Sequence, residues 1–200
     1  MRTLEYKTPV LYCSGNIELV NAKTIAVVGT RQLEDDIDIV EGKKVLQRLL
    51  DKGYVIVSGL AKGCDTLAHS YVIEHGGKTI AVLGTPLNKY YPKENKHLQE
   101  IIASQHLVVT QYPIGIKTFP SHFAHRNKTT VGLSTEGVVV IRAGDKSGTQ
   151  HAIKECIYTK KPLYVLMNNL NKGYGWVKNY KGFFKVPNKP NNNGFKESGG

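Results

Sequence analysis

The chain has few cysteines and no long apolar run, and both absences restrict what it can be. Its three cysteines, Cys13, Cys64 and Cys156, lie far apart and form no CxxC or Cys/His cluster. Scattered, unpaired thiols are typical of a reducing compartment, so we expect a cytoplasmic protein with no metal site. No stretch approaches the roughly 18 consecutive apolar residues of a membrane span. Residues 1–9 are too polar for a secretory signal, so no membrane partner is expected.

The sequence also lacks the glycine motifs of the common nucleotide-binding folds. It contains no GxxxxGK[ST], and its first apolar run is followed by Gly29, Thr30 and Arg31 rather than by GxGxxG. The bulky Arg31 stands where a dinucleotide-binding fold needs a glycine. A nicotinamide enzyme is therefore disfavoured, and we expect no cofactor.

What the chain does have is an excess of positive charge. Lys and Arg outnumber Asp and Glu by 27 to 16, which gives a formal net charge of +11 and a pI near 9.5. A basic protein of this size attracts polyanions such as nucleic acid, anionic lipid or an acidic partner. A generically lysine-rich, solvated surface is the alternative, and the positions of the charges decide between the two.

Short, continuous apolar runs alternate with longer amphipathic stretches between residues 24 and 166. Continuous rather than alternating hydrophobicity predicts strands buried on both faces, as in a parallel sheet. The alternation of strands and helices predicts an α/β fold with a doubly wound, mostly parallel sheet. The predicted strands are 24–29, 54–58, 79–84, 106–110, 137–142 and 163–166, and the predicted helices are 36–52, 65–75, 93–103 and 149–158.

The last 33 residues have a different composition. We divide the chain into a domain at 1–167 and an irregular, basic tail at 168–200, which is rich in Asn, Lys and aromatic residues. Asn, Gly and Pro interrupt this tail too often for a long regular element. Its aromatic side chains are expected to dock part of it on the domain. The alternative is a flexible arm whose rings and lysines bind nucleic acid.

Small residues follow the predicted strands at four turns. In an open parallel sheet, ligands bind beyond the carboxyl ends of the strands. Glycines let backbone N–H groups approach an anion closely, and a helix N-terminus adds partial positive charge. Arg31 and Lys62 stand where they could complete such an anion site. The four turns are 29–31, 58–63, 84–87 and 147–149.

Six segments, taken in their order and spacing, resemble the core of the DprA/Smf DNA-processing family. They read VVGTR (27–31), VSGLAKGCDTLAH (57–69), GGKTIAVLGTPLNKYYPKEN (76–95), TQYPIG (110–115), FAHRNKTTVGLS (123–134) and SGTQHA (147–152). The resemblance covers about residues 11–166. It implies an extended Rossmann-like fold that binds single-stranded DNA in recombination or natural transformation, forms homodimers and helps to load the RecA recombinase.

The resemblance also carries the family's basic DNA-binding pocket onto this sequence. Arginine can bind phosphate through two parallel hydrogen bonds, lysine supplies a point charge, and asparagine can meet a base edge or a phosphate. No catalytic residue is implied. The positions expected to bind DNA or phosphate, with Lys62 from the turns, are Arg31, Ser58, Gly59, Lys62, Lys93, Arg126, Asn127, Lys128, Ser147 and Gly148.

The chain departs from the family pattern at several of these motifs. The usual RNR reads Arg126-Asn127-Lys128, which keeps the charge but loses the second guanidinium. The usual SEY and GLD each lose a carboxylate, at 110–112 and 86–88. DNA binding should survive these changes, whereas RecA loading is less secure. The flanking domains of many members have no match in the sequence, which suits either a minimal homologue or part of a longer protein.

Two alternatives remain open at this point. The wider superfamily includes nucleotide sensors and phosphoribohydrolases, but their PGGxGTxxE signature is missing. Asp145 and Glu155 are the carboxylates near that position, so a general acid/base pair is hard to assemble. Asp65 and His69 stand four residues apart on a predicted helix, a spacing that could hold a metal. Without a third ligand nearby, a cap and a packed histidine are favoured.

Overall fold

The computed structural model describes residues 10–179, 183–186 and 196–197. Within them, one sheet of nine strands is accompanied by seven α-helices and two 3₁₀ helices. The strands are β1 (Tyr12–Gly15), β2 (Thr24–Val28), β3 (Val55–Ser58), β4 (Thr79–Leu83), β5 (Leu107–Thr110), β6 (Val138–Val140), β7 (Leu163–Leu166), β8 (Phe184–Val186) and β9 (Lys196–Glu197). The helices are α1 (Asp36–Asp51), α2 (Cys64–Glu74), α3 (Lys96–Gln105), α4 (Pro120–Gly132), α5 (Gln150–Tyr158), α6 (Met167–Asn171) and α7 (Gly175–Asn179), with 3₁₀ turns at Ile17–Asn21 and Lys93–Asn95.

The strand order is β1-β5-β4-β3-β2-β6-β7-β8-β9. All neighbours from β5 to β8 run parallel, and β1 and β9 are antiparallel to theirs. The chain builds outwards from β2 to β5 and then returns to place β6 on the other side of β2. The predicted doubly wound, mostly parallel Rossmann-like sheet is therefore confirmed. The strand order reverses between β2 and β6, where such folds form a ligand crevice.

The central strands have helices on both faces, which explains their continuous hydrophobicity. Every residue of β2 is buried. Ile25 and Val27 pack in one cluster with Leu46 and Leu49 of α1. The intervening Ala26 packs in a second cluster with residues of α4 and α5. Alternate side chains of one strand thus fill both layers of the core, so neither face offers a place for polar residues.

Helix α1 shows how local signals set the limits of an element. The side chain of Asp35 accepts a hydrogen bond from the Ile37 amide at 2.9 Å and caps the first turn. The helix ends at Asp51, one residue before the predicted end, and Gly53 follows with a φ of +73°. Only glycine adopts that conformation without strain, so the chain reverses there into β3.

The sequence prediction missed helix α4 and strand β1 and misplaced the start of α3. Helix α4 has too few apolar residues for a clear helical period, and the signal that marks it is Pro120 in its first turn. Strand β1 is an edge strand whose side chains are mostly exposed, so it has no continuous apolar run. The predicted helix at 93–103 begins three residues later, because Lys93–Asn95 forms a 3₁₀ turn.

The segment after residue 167 is more regular than predicted in its described part. Two short helices follow β7, and β8 pairs with β7 in parallel, with Tyr164 beside Phe184. Trp176 and Phe183 are buried in the cluster beneath α5, so aromatic docking does occur. This docking brings the backbone to the sheet edge, where pairing makes it regular. No helix in the described part of the chain is both long and apolar enough to cross a membrane.

Candidate nucleic-acid interface

A cleft of about 810 Å³ opens where β2 and β6 end side by side. Both the turn at 29–31 and the turn at 147–149 line it, as expected for the crevice of a doubly wound sheet. A smaller cavity of about 70 Å³ adjoins it and shares Arg31 and Arg126 with it. The four predicted turns therefore face one edge of the sheet, since Gly59, Lys62 and Gly84 line the smaller cavity.

The turn after β2 presents Arg31 to solvent. The Thr30 amide donates to the carbonyl of Arg142 at 2.7 Å, and the Cys64 amide donates to the carbonyl of Thr30 at 3.0 Å. A Cβ on Gly29 would lie 2.2 Å from the Cys64 sulfur, so glycine is required there for packing against α2. The Arg31 guanidinium lies over the Phe123 ring, 5.9 Å from its centroid. This contact orients the cation without neutralising it.

Arg126 of α4 forms the buried floor of the cleft. Its side chain is 6% exposed, and its Nη1 lies 3.7 Å from Asp65 Oδ2. Its Nε has no hydrogen-bond partner among the described residues. Burial lowers the pKa of Arg126, and burial raises the pKa of Asp65 even though Arg126 opposes that shift. A Cβ on Gly59 would lie 1.1 Å from Arg126 Nη1, so this glycine makes room for the guanidinium.

The loop before α5 lies beside this floor. Ser147 Oγ accepts a hydrogen bond from the Thr149 amide at 3.2 Å, and no side chain caps the N-terminus of α5. Asn127 of α4 donates from Nδ2 to the Gly148 carbonyl at 3.4 Å. The first amides of α5 donate to the carbonyls of Ser147, Gly148 and Thr149, so the N-terminus of α5 contributes its partial positive charge to the cleft rather than free donors.

Seven of the ten predicted positions are brought together. Five line the larger cleft, and Gly59 and Lys62 line the smaller cavity. Lys62 is not free there, because its Nζ lies 2.6 Å from Glu94 Oε1. The five in the larger cleft are Arg31, Arg126, Asn127, Ser147 and Gly148.

The other three predicted positions do not line either cavity. Ser58 is fully buried, and its hydroxyl donates to the Val27 carbonyl at 2.7 Å, so it holds β3 to β2. Lys93 is exposed and follows Pro92, which lines the smaller cavity. Lys128 is also exposed and lies on α4 beside Asn127. The binding roles of all ten positions stay predictions.

The residues that line the cleft but were missed by the sequence prediction include Arg142 and Tyr174. Arg142 lines the cleft and forms an ion pair with buried Asp38, with 3.1 Å between Nη1 and Oδ2. Arg142 directly follows the apolar run 137–141, and this position at the carboxyl end of a predicted strand could have indicated that it lines the cleft. Tyr174, one of the aromatic residues of the tail, lines the cleft from the segment between α6 and α7, and no local pattern distinguished it from the other tail aromatics. We call Arg31, Phe123 and Arg126 the α4 group, and Arg142 and Tyr174 the C-terminal group.

The spacing of Asp65 and His69 has a packing explanation. His69 is fully buried, and its Nδ1 lies 2.7 Å from Thr79 Oγ1. Burial, with the nearby charge of Arg126, lowers the pKa of His69 to about 3. Asp65 Oδ2 accepts from the Ala61 amide at 3.2 Å. Among the residues described, no cluster of three His, Cys, Asp or Glu side chains could hold a metal ion.

The fold and the cleft together define a class: a Rossmann-like α/β protein with a cationic cleft at the switch point of its sheet. The sequence model of the family "DNA recombination-mediator protein A" matches residues 1–179. The chain belongs to this family, whose members include the DprA and Smf DNA-processing proteins.

Individual relatives agree with this assignment. The chain is 37% identical over 172 residues to the DNA processing protein DprA of Streptococcus pneumoniae, an alignment that covers 84% of this chain and 59% of that protein. The X-ray structure of Streptococcus pneumoniae DprA matches with a TM-score of 0.75 at 40% identity, over 79% of this chain and 55% of that one. A Helicobacter pylori DprA structure, solved to describe its single-stranded DNA binding mode, matches with a TM-score of 0.73 at 30% identity, over 84% and 81%. The chain thus spans little more than half of its Streptococcus pneumoniae relative.

Proposed function

We propose that the chain binds single-stranded DNA in this cleft and acts as a DNA-processing protein of DprA/Smf type in recombination or natural transformation. The observation that carries the proposal is the incompletely paired Arg126 guanidinium at the cleft floor. Its one carboxylate partner lies at 3.7 Å, beyond hydrogen-bonding distance, and its Nε has no partner among the described residues. A buried cation in that state is stabilised by an anion that accepts its remaining hydrogen bonds.

A phosphodiester chain suits the rest of the cleft. Arg31 adds a second, exposed guanidinium, and the N-terminus of α5 adds partial positive charge beside it. The Phe123 ring is a surface on which a base can stack only when the base is not paired in a duplex. The net charge of +11 supports attraction of a polyanion. The binding mode described for the Helicobacter pylori relative supports a single strand as the ligand.

We propose binding without catalysis at this site. Among the described residues that line the larger cleft, Asp65 is the one carboxylate, and Arg126 is paired with it. The carboxylate of Asp145 accepts hydrogen bonds from the amides of Gly175 and Trp176, and Glu155 does not line the cleft. His151 also lines the cleft, but it forms no hydrogen bond or ion pair with a carboxylate in the described part of the chain, so no oriented acid/base pair is assembled there.

The partners beyond DNA rest on the family resemblance. We propose a homodimer, with RecA recombinase as the protein partner, in the cytoplasm. The three cysteines are free thiols in this structure, which supports a reducing compartment. Size-exclusion chromatography with light scattering and a RecA pull-down on single-stranded DNA test the two protein contacts.

Oligonucleotide titrations over a series of salt concentrations test the DNA proposal. We expect tighter binding to single strands than to duplexes, with a log–log salt slope of about −0.7 per phosphate neutralised. Arg31→Ala should make that slope shallower by about one phosphate. Gly59→Ala should displace Arg126 and weaken binding roughly tenfold or more.

The matched control is Gly132→Ala at the end of α4, where an added Cβ meets no atom within 4 Å. It should bind like the wild type. Binding that does not depend on salt, or that survives Gly59→Ala unchanged in a folded protein, would contradict a phosphate site at Arg126.

A further inference from the structure

Hydrogen bonds of the residues that follow Tyr174 hold it at the cleft. The Asp145 carboxylate accepts hydrogen bonds from the Gly175 amide at 3.0 Å and from the Trp176 amide at 2.7 Å. The buried Trp176 indole donates to the Ala143 carbonyl at 2.7 Å. The loop that follows β6 therefore holds the start of α7, and with it the residue just before α7, at the cleft.

The ring of Tyr174 is also backed by a fixed cation. Arg142 lies over it, with 5.2 Å between Cζ and the ring centroid. Arg142 is held in turn by buried Asp38, to which the Asn168 side-chain amide also donates. Arg142 follows β6, Asp38 belongs to α1 and Asn168 belongs to α6, so three separate elements fix the cation that backs the ring. An aromatic ring that is already ordered loses little entropy when a ligand stacks on it.

We propose that Tyr174 is a base-stacking position of the cleft, so that residues 167–179 form part of the DNA site. The inference rests on the proposed function, because a stacked base presupposes a bound strand. The α4 group already offers one ring, Phe123, with Arg31 over it. The C-terminal group repeats the arrangement with Tyr174 and Arg142. The volume of about 810 Å³ lies in the upper range of ligand sites, which gives room for more than one nucleotide.

The two groups differ in what they offer to a strand. Arg31 is exposed and has no ion pair among the described residues, so it can bind a phosphate. Arg142 is already paired with Asp38. Tyr174 therefore contributes through stacking and not through charge. Loss of its ring should reduce affinity without changing the number of phosphates neutralised.

The test compares the wild type with Tyr174→Leu and Tyr174→Phe in titrations with labelled oligothymidylate. Leucine keeps an apolar contact with the core cluster next to Tyr174, whereas phenylalanine keeps the ring. We expect Tyr174→Leu to weaken binding at least about fivefold and Tyr174→Phe to bind within about twofold of the wild type. The salt slope should be the same for all three proteins. With a strand of the same length that carries no bases, the leucine variant and the wild type should bind alike.

The single tryptophan gives a second measurement that does not depend on a variant. Trp176 is two residues from Tyr174, so its emission should change when a strand with bases binds and stay unchanged with the abasic strand. A leucine variant that binds as tightly as the wild type, or that loses the same affinity for the abasic strand, would overturn the inference alone. A wild type that binds no single strand would overturn both this inference and the proposed function.

Discussion

The two groups that line the cleft each contain an arginine over an aromatic ring, yet they use their charge differently. Arg31 stands over Phe123 at 5.9 Å and is exposed. Arg142 stands over Tyr174 at 5.2 Å and is paired with Asp38, a carboxylate that is 3% exposed. The charge of Arg31 is therefore available to a ligand, whereas the charge of Arg142 is neutralised in a buried ion pair. The net charge of a cleft therefore does not indicate its affinity for an anion unless the ion pairs of each cation are known.

The floor of the cleft adds a third state of an arginine. Arg126 is as buried as Asp65, yet their closest contact is 3.7 Å. It is neither solvated like Arg31 nor closely paired like Arg142, and this state is the one that an incoming anion changes most. The burial of each arginine and its distance to a carboxylate therefore distinguish the paired Arg142 from Arg31 and Arg126, whose charges are less fully paired.

The largest expected effect is a difference in stability between variants of Arg142 and of Arg31. Arg142→Ala leaves the Asp38 charge buried without its cation, so the free energy of unfolding should fall by about 3 kcal/mol. Arg31→Ala removes an exposed side chain and should change it by less than about 0.5 kcal/mol. Urea denaturation of both variants measures the difference. The double variant Asp38→Asn with Arg142→Gln should recover much of the loss, because no buried charge remains. Equal losses for the two alanine variants would contradict a buried ion pair at Arg142 that has no counterpart at Arg31.

An intermediate effect concerns His69, which is buried near Arg126 of the α4 group. His69 has a folded-state pKa of about 3 and an unfolded value near 6.5, so below pH 6.5 the unfolded chain binds a proton that the folded chain does not. The stability from neutral His69 is therefore present above pH 6.5 and is lost as the pH falls towards 3. We expect a loss of about 2 kcal/mol between pH 7 and pH 5.

His69→Gln should remove that part of the pH dependence, and denaturation curves at the two pH values measure it. The NMR signals of the His69 ring provide an independent check, since they should not titrate between pH 5 and pH 8. A ring that titrates near pH 6.5 would show that the layer behind Arg126 is open to water.

The smallest expected effect concerns Lys62 beside the α4 group. Its charge is engaged by Glu94 at 2.6 Å in an exposed pair. Glu94→Gln should release Lys62 and raise the affinity for single-stranded DNA about two- to threefold at low salt. Glu100→Gln is the matched control, because it breaks the exposed pair with Lys96 and adds the same charge away from both cavities. Equal gains for both variants would mean that net charge alone acts.

Much of the fold could be predicted because local sequence signals agree with the tertiary structure. The apolar runs that became β2, β3 and β4 are buried at every residue, so hydrophobicity alone locates them. Strand β8 was not predicted, since it forms by pairing with β7 and not through a pattern of its own. The family motifs also located turns that line the cleft. Their glycines are required by packing, because a Cβ on Gly29 or Gly59 would collide with Cys64 or Arg126.

The sequence by itself determined the doubly wound sheet, the family and the edge at which a ligand would bind, because strand burial and glycine turns are local properties. Only the tertiary structure decided which cations are available. Arg142 is paired with a carboxylate 104 residues away, and the Ser58 side chain points inward. Tyr174 reaches the cleft because the next two amides, of Gly175 and Trp176, donate to Asp145. Whether a charge faces a ligand or a buried partner depends on distant segments that only folding brings together.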